Sequence, residues 1–116
     1  MYRYSMRAKP VDELPYRTKI YVNSQVLLPA SLVRALGFEW ARYADVTIRH
    51  GDDTIVINNT KLLRTRHTAS RQFTIPREIR EKYGIKPLDE IEILAIKPKQ
   101  AKETKTEIEA KTNPIG

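Results

Sequence analysis

The chain has 116 residues, with 21 Lys and Arg against 14 Asp and Glu, a formal net charge of +7 and no cysteine. This length fits one compact domain, or two small units that share a core. The lack of cysteine excludes disulfides, zinc ribbons and thiol catalysis. Because no apolar run approaches the roughly 20 residues of a membrane span and no apolar signal segment opens the chain, we expect a cytoplasmic protein with no membrane partner. The charge indicates a polyanionic partner.

The positive charge is concentrated in the second half of the chain. Residues 60–97 carry nine basic and five acidic side chains, which is more than half of the net excess. The densest run extends from Lys61 to Arg71. A run of this kind is equally typical of a solvated strand face, so its meaning depends on the elements that contain it.

The sequence repeats itself at an offset of 47 residues. This offset aligns Arg17 with Arg64, Gln25 with Gln72, Pro29 with Pro76 and Gly37 with Gly84. Further along, an offset of 45 aligns residues 45–48 with 90–93, which places two extra residues near Trp40–Tyr43 in the first copy. We therefore divide the chain into an N-terminal extension (1–15), copy one (16–59), copy two (60–97) and a Lys/Glu-rich C-terminal segment (98–116).

Copy one predicts two short strands, a helix and a hairpin. Alternating residues predict the strands, Asn23-Ser24 supplies the turn between them, and Pro29 and Gly37 mark the start and the end of the helix. The hairpin turns at residues 50–53. The predicted elements are strands Thr18–Val22 and Gln25–Leu28, helix Ala30–Leu36, and strands Asp45–Arg49 and Thr54–Ile57, followed by a junction at residues 58–60.

Copy two predicts the same order of elements: strand Leu63–Thr68, strand Gln72–Ile75, helix Arg77–Tyr83 and strand Glu90–Lys97. Residues 105–110 form either a return strand or part of a polar tail. Spacing along the helices predicts that Leu32, Val33 and Leu36, and Ile79 and Tyr83, are buried. Trp40 and the tyrosines Tyr16, Tyr21 and Tyr43 resemble stacking platforms for single-stranded nucleic acid, but we expect them to fill and cap the core.

The segment from Ser70 to Glu90, SRQFTIPREIREKYGIKPLDE, resembles the signature of the SpoVT/AbrB family of swapped-hairpin DNA-binding proteins. Ser70 and Leu88 stand where that family usually has glycine, and copy one is a degenerate version of the same pattern. The resemblance implies a mostly β fold with two short helices, in which two internal repeats interleave their hairpins to form one small swapped-hairpin β-barrel. The barrel would close within one chain as a pseudo-dimer, or between chains as a homo-oligomer.

The resemblance also implies a DNA-binding face made of arginines from the first strand, the turn and the helix. Guanidinium groups suit this role because they stay charged and can form two parallel hydrogen bonds with phosphate oxygens or with a guanine edge. The alternative is that these side chains simply solvate a helix and a strand edge. The candidate residues are Arg64, Arg66, Arg71, Arg77 and Arg80 in copy two, and Arg17, Lys19 and Arg34 in copy one.

Catalysis is not expected, because the sequence has no phosphate-binding loop, nucleophile elbow or metal-ligand cluster. His50 and His67 have no partner at ligand spacing, so no metal or cofactor is predicted. The leading interpretation is a nucleoid-associated protein that binds duplex DNA, either a transcriptional regulator or a small chromatin-type protein. Two alternatives stay open: an antitoxin-like module that binds a protein through its C-terminal tail, and an RNA- or ribosome-binding protein that uses the same basic face.

Overall fold

The computed structural model describes residues 12–65 and 67–102. Within these ranges the protein is mostly β with two short helices, as the sequence predicts. None of the helices in these ranges is long and apolar enough to cross a membrane. The elements are β1 (Tyr16–Lys19), β2 (Gln25–Leu28), α1 (Ala30–Leu36), β3 (Tyr43–His50), β4 (Asp53–Lys61), β5 (Leu63–Arg64), β6 (Arg71–Thr74), α2 (Arg77–Tyr83) and β7 (Glu90–Lys99).

The strands form two antiparallel sheets. One has the order β1-β7-β3-β4 and the other the order β2-β6-β5. Among the described residues the hydrogen-bonded ladders therefore make two separate sheets and not one closed barrel. The predicted return strand at 105–110 lies outside the described residues.

The strand register brings equivalent residues of the two copies face to face. Val26 and Phe73, which match at the offset of 47, lie directly opposite each other in the β2–β6 pair. Ile48 and Ile93, which match at the offset of 45, lie opposite each other in the β3–β7 pair. This arrangement is that of an approximate two-fold axis that passes through both sheets and relates copy one to copy two.

The four residues that face each other across this two-fold axis are also part of the core. Val26, Phe73, Ile48 and Ile93 are each fully buried. The rest of the core comes from both copies, so neither copy has a core of its own. The other fully or nearly fully buried apolar side chains are Ile20, Leu28, Leu32, Val33, Phe38, Ala41, Ala44, Val46, Ile55, Ile57, Leu62, Ile75, Ile85 and Ile91.

An ion pair links β3 to β7 at one end of the large sheet. Lys99 Nζ lies 2.9 Å from Asp45 Oδ1, with side-chain exposures of 9% and 18%. Burial would raise the pKa of Asp45, but the hydrogen bond from the Asn59 N–H (2.9 Å) and the charge of Lys99 together hold that pKa below its usual value. The carboxylate is therefore ionised in the folded protein at neutral pH and contributes to stability there.

Both helices have the predicted bounds. Pro29 and Pro76 precede their first residues, and Gly37 (φ 70°) and Gly84 (φ 66°) take the left-handed conformation that ends them. Leu32 and Val33 are buried as predicted, and Ile79 and Tyr83 pack partly against the core. The prediction was wrong for Leu36, which is 41% exposed, whereas Phe38, whose N–H bonds Val33 O just past the helix end, is buried.

Several strand limits differ from the prediction. The first strand covers Tyr16–Lys19 and not Thr18–Val22, and β6 begins one residue earlier than predicted. The junction predicted at residues 58–60 lies within β4, because a bulge in β4 places Asn58 and Asn59 opposite the single residue Asp45, and pairing then continues from Thr60 onward. Asn59 accommodates this irregularity with a φ of 54°. The first strand predicted for copy two shortens to Leu63–Arg64, since the chain turns from Thr65 onward.

Candidate nucleic-acid interface

Two concave regions meet at strand β5. The first has a volume of about 520 Å³ and is lined by residues that include Trp40, Arg42, Lys61 and Arg64. The second, of about 660 Å³, is lined by residues that include Arg34 and Arg64. Both regions share Arg64, and Glu39 is the only acidic side chain among the described residues that line them. We call Arg34, Arg42, Lys61 and Arg64 the β5 surface.

The local fold explains why these four cations converge. Arg34 lies on the exposed side of α1, whose opposite side carries the buried Leu32 and Val33. Arg42 is fixed by its backbone, which receives a hydrogen bond from Leu62 N (2.9 Å) and donates one to Lys99 O (3.0 Å). Because Leu62 is buried, its neighbour Lys61 points outward, next to β5 and Arg64. The β5 surface therefore combines side chains from both copies.

Arg71 also lines both concave regions, but it is largely withdrawn from solvent. Its side chain is buried, with 5% exposure, and its guanidinium donates to Ala69 O (2.6 Å), Ser70 O (3.0 Å) and Glu39 O (2.9 Å). Burial, together with the nearby charge of Arg64, lowers the pKa of Arg71 from its usual value. These three bonds use three of the five N–H groups of the guanidinium and connect the turn before β6 to the loop after α1. The phosphate contact expected of Arg71 stays a prediction.

The loop from β5 to β6 is held by hydroxyl groups. Thr68 Oγ1 lies 2.6 Å from Ser70 Oγ and donates to Thr65 O (3.2 Å), while Ser70 N donates to Thr68 Oγ1 (3.1 Å). Thr65 Oγ1 also bonds Ser70 Oγ. His67 is exposed on this loop and lines the second concave region. Arg66, one of the predicted contact residues, lies outside the described residues.

Arg17 and Lys19 lie on β1, at the edge of the large sheet opposite to β4, and they face acidic residues. In the β1–β7 register Arg17 faces Glu92 and Lys19 faces Glu90. Glu92 also accepts a hydrogen bond from Arg49. Three basic and two acidic side chains therefore lie together here, and neither Arg17 nor Lys19 lines the two concave regions of the β5 surface.

The two arginines of α2 differ in their contacts. Arg77 is exposed and forms an ion pair with Glu81 at 2.9 Å, as expected for an i,i+4 pair. Such a pair at the surface contributes only a few tenths of a kcal/mol. Arg80 is half-buried, and its Nε donates to Ile75 O (3.0 Å), which ties the helix to the strand end. Neither residue lines the two concave regions.

Sequence reasoning missed Arg42, Lys61 and the exposure of Trp40. Trp40 is 53% exposed and Tyr21 is 42% exposed, so the expectation that they fill or cap the core was wrong. A signal for Trp40 and Arg42 was present, because both lie where copy one has two extra residues relative to copy two. The two extra residues lengthen the segment after α1, and the side chains of Trp40 and Arg42 in this segment lie beside β5.

His50 has a partner that the sequence did not indicate. Its Nε2 lies 2.8 Å from Asp89 Oδ2, across the β3–β7 boundary. The Lys86 N–H and then His50 lower the pKa of Asp89. Asp52 forms part of the hairpin turn, and Asp53 pairs with His50 in the register, as expected for turn residues. Within residues 12–65 and 67–102, no group of three or more His, Cys, Asp or Glu could hold a metal ion.

Comparison with family models, with curated proteins and with solved structures finds no match to this chain. The geometry of the β5 surface therefore provides the basis for a functional proposal.

Proposed function

We propose that this protein binds duplex DNA through the β5 surface and acts as a transcriptional regulator or a small chromatin-type protein. The observation that carries the proposal is the convergence of Arg34, Arg42, Lys61 and Arg64 on two adjoining concave regions, where Glu39 is the one acidic residue among the described lining residues. Phosphate contacts from such cations supply most non-specific affinity and position a protein on a duplex. The net charge of +7 supports the same partner.

The register of the two copies supports the resemblance to the swapped-hairpin DNA-binding family. In that arrangement each copy pairs its strands with those of the other copy, and here β1 and β3 pair with β7, and β2 pairs with β6. We infer a pseudo-dimer within one chain. The binding surface nevertheless differs from the one that the resemblance implies, since Arg71 is internal and Arg42 and Lys61 take part.

The test compares Arg64→Ala with Arg17→Ala in a duplex-binding assay at one fixed salt concentration. The two arginines are equivalent in the repeat, so both variants lose the same charge from matched strands. Arg64→Ala is expected to weaken binding about tenfold, because one charge-assisted contact contributes about 1–2 kcal/mol. It should also reduce the slope of log K against log salt by about 0.9. Arg17→Ala should change affinity less than about twofold, since Arg17 lines neither of the two concave regions.

Glu39→Gln provides a test in the opposite direction. Removing the acidic side chain beside the β5 surface should strengthen duplex binding several-fold, because the phosphate backbone then meets no like charge there. Its backbone carbonyl, which accepts the bond from Arg71, is unchanged by this substitution. Equal losses in Arg64→Ala and Arg17→Ala would contradict the proposed surface. A preference of about tenfold for structured RNA over duplex DNA would contradict the proposed partner.

A further inference from the structure

The first concave region contains an exposed indole ring in addition to its cations. Trp40 lies on the wall of this cleft together with Tyr43, and Arg42, Lys61 and Arg64 lie around it. Its volume of about 520 Å³ is within the range of about 300–1,000 Å³ found for small-ligand sites. Phosphate contacts with a duplex do not require an aromatic ring, so this feature calls for its own explanation.

The indole is held in place by the turn that follows α1. Phe38 and Ala41 are buried on either side of it, and Ala41 N donates to Phe38 O (3.0 Å), which closes the turn. Glu39 and Trp40 are thereby left on the outside. Trp40 Nε1 donates to Gly37 O (3.0 Å). The ring is therefore oriented by the fold while 53% of the residue stays exposed, and little conformational entropy would be lost when a ligand stacks on it.

Charge and aromatic surface occur together in this cleft. Tyr43 pairs with Lys61 in the β3–β4 register, which places an aromatic ring and an ammonium group on the same side of the sheet. A ligand that suits such a lining has a flat π-face for the indole and a negative group for the cations. An unpaired nucleotide has both: its base stacks on an aromatic ring and its phosphate bonds to Arg or Lys.

We propose that the Trp40 cleft binds an unpaired nucleotide of a single-stranded nucleic acid, with the base stacked on Trp40 and the phosphate held by Arg42, Lys61 and Arg64. This goes beyond duplex binding and does not depend on it, although Arg64 lies on both surfaces. The cleft also departs from the internal symmetry, since Trp40 and Arg42 lie in the segment where copy one has two residues more than copy two.

The sequence provides a direct reporter, because Trp40 is the only tryptophan in the chain. Titration with an oligothymidylate of about eight nucleotides, a length typical of single-strand sites, should quench its fluorescence. An oligomer of the same length with abasic sugars carries the same phosphates and should leave the fluorescence nearly unchanged. An oligouridylate run in parallel tells whether the bound strand is DNA or RNA, and quenching by either one supports the cleft.

The variants Trp40→Ala and Trp40→Phe separate stacking from charge. In fluorescence anisotropy with a labelled oligothymidylate, Trp40→Ala should weaken binding about tenfold, and Trp40→Phe should restore most of the loss because it keeps a ring. Tyr21→Ala is the matched control, since Tyr21 is also a half-exposed aromatic residue (42%) and does not line the cleft. Circular dichroism establishes that each variant is folded.

Two results would overturn this inference. The first is equal quenching by the abasic oligomer, which would mean that phosphate alone is bound. The second is single-strand affinity that Trp40→Ala and Tyr21→Ala change to the same extent. Duplex binding measured on the same variants keeps the two proposals apart: Trp40→Ala should leave duplex affinity within about twofold, whereas Arg64→Ala weakens both.

Discussion

The buried guanidinium of Arg71 provides the sharpest test of this structure. Methionine at this position keeps a side chain of similar length and removes the three hydrogen bonds to the carbonyls of Glu39, Ala69 and Ser70. At about 1 kcal/mol for each bond lost, the direct cost is about 3 kcal/mol. Removing a charge that burial disfavours offsets part of this cost. We expect Arg71→Met to lower the free energy of unfolding by about 2–3 kcal/mol.

The assay is reversible unfolding, by heat or urea, of Arg71→Met beside Arg64→Met. For a domain of this size, 2–3 kcal/mol corresponds to a fall in the melting temperature of roughly 10–20 °C. Arg64 is exposed, so its variant should stay within about 0.5 kcal/mol of the parent protein. Duplex affinity should show the reverse order at a temperature where both variants are folded. If Arg71→Met keeps the parental stability and loses DNA binding, the internal role of Arg71 is refuted.

Three further predictions concern stability. Leu88 has a φ of 73° and is exposed, so Leu88→Gly should stabilise the fold by about 0.5–1 kcal/mol in urea unfolding, and a loss would contradict the strain argument. Folding lowers the pKa of Asp45, so the ionised carboxylate stabilises the fold above about pH 4, and this stabilisation is lost as the pH falls through the folded pKa. Asp45→Asn should therefore lower the free energy of unfolding at neutral pH and make it depend less on pH in the acid range. Parallel plots of unfolding free energy against pH for the variant and the parent protein would contradict this. Val26→Ala should lower the free energy of unfolding in urea by about 2 kcal/mol, because Val26 is fully buried. Val22 is 74% exposed, so Val22→Ala should change it by almost nothing. Equal losses would contradict the placement of the core.

The helices could be predicted from the sequence because their signals are local. A proline before each helix and a glycine after it define Ala30–Leu36 and Arg77–Tyr83 without reference to the rest of the chain. The internal repeat reinforced both predictions, since the same punctuation occurs twice. The hairpin of β3 and β4 was also anticipated, although β4 extends through the predicted junction to Lys61.

The candidate site was harder to predict, because it depends on contacts between distant segments. The sequence predicts the same role for Arg71 and Arg64. The burial of Arg71 includes a contact with the loop at Glu39, which lies 32 residues away in the chain and which the sequence pattern does not indicate. Arg17 and Arg64 occupy equivalent positions in the repeat, but the pairing of β1 with β7 places Glu92 opposite Arg17. Arg42 and Lys61 are ordinary cations in the sequence, and their proximity follows from the bulge in β4 and from the course of β4 into β5.

The pairing of the two copies has a consequence for the order of synthesis. In the large sheet Tyr16 pairs with Ile93, and in the small sheet Leu28 pairs with Arg71. Strands β1 and β2 are therefore synthesised long before the strands with which they pair. Among the described strands of copy one, only β3 and β4 can pair early with each other. Apolar side chains such as Val26 and Leu28 are therefore exposed on the nascent chain until β6 and β7 emerge. Folding is expected to begin only after β6 and β7 have been synthesised and to be slow, because so many contacts are non-local.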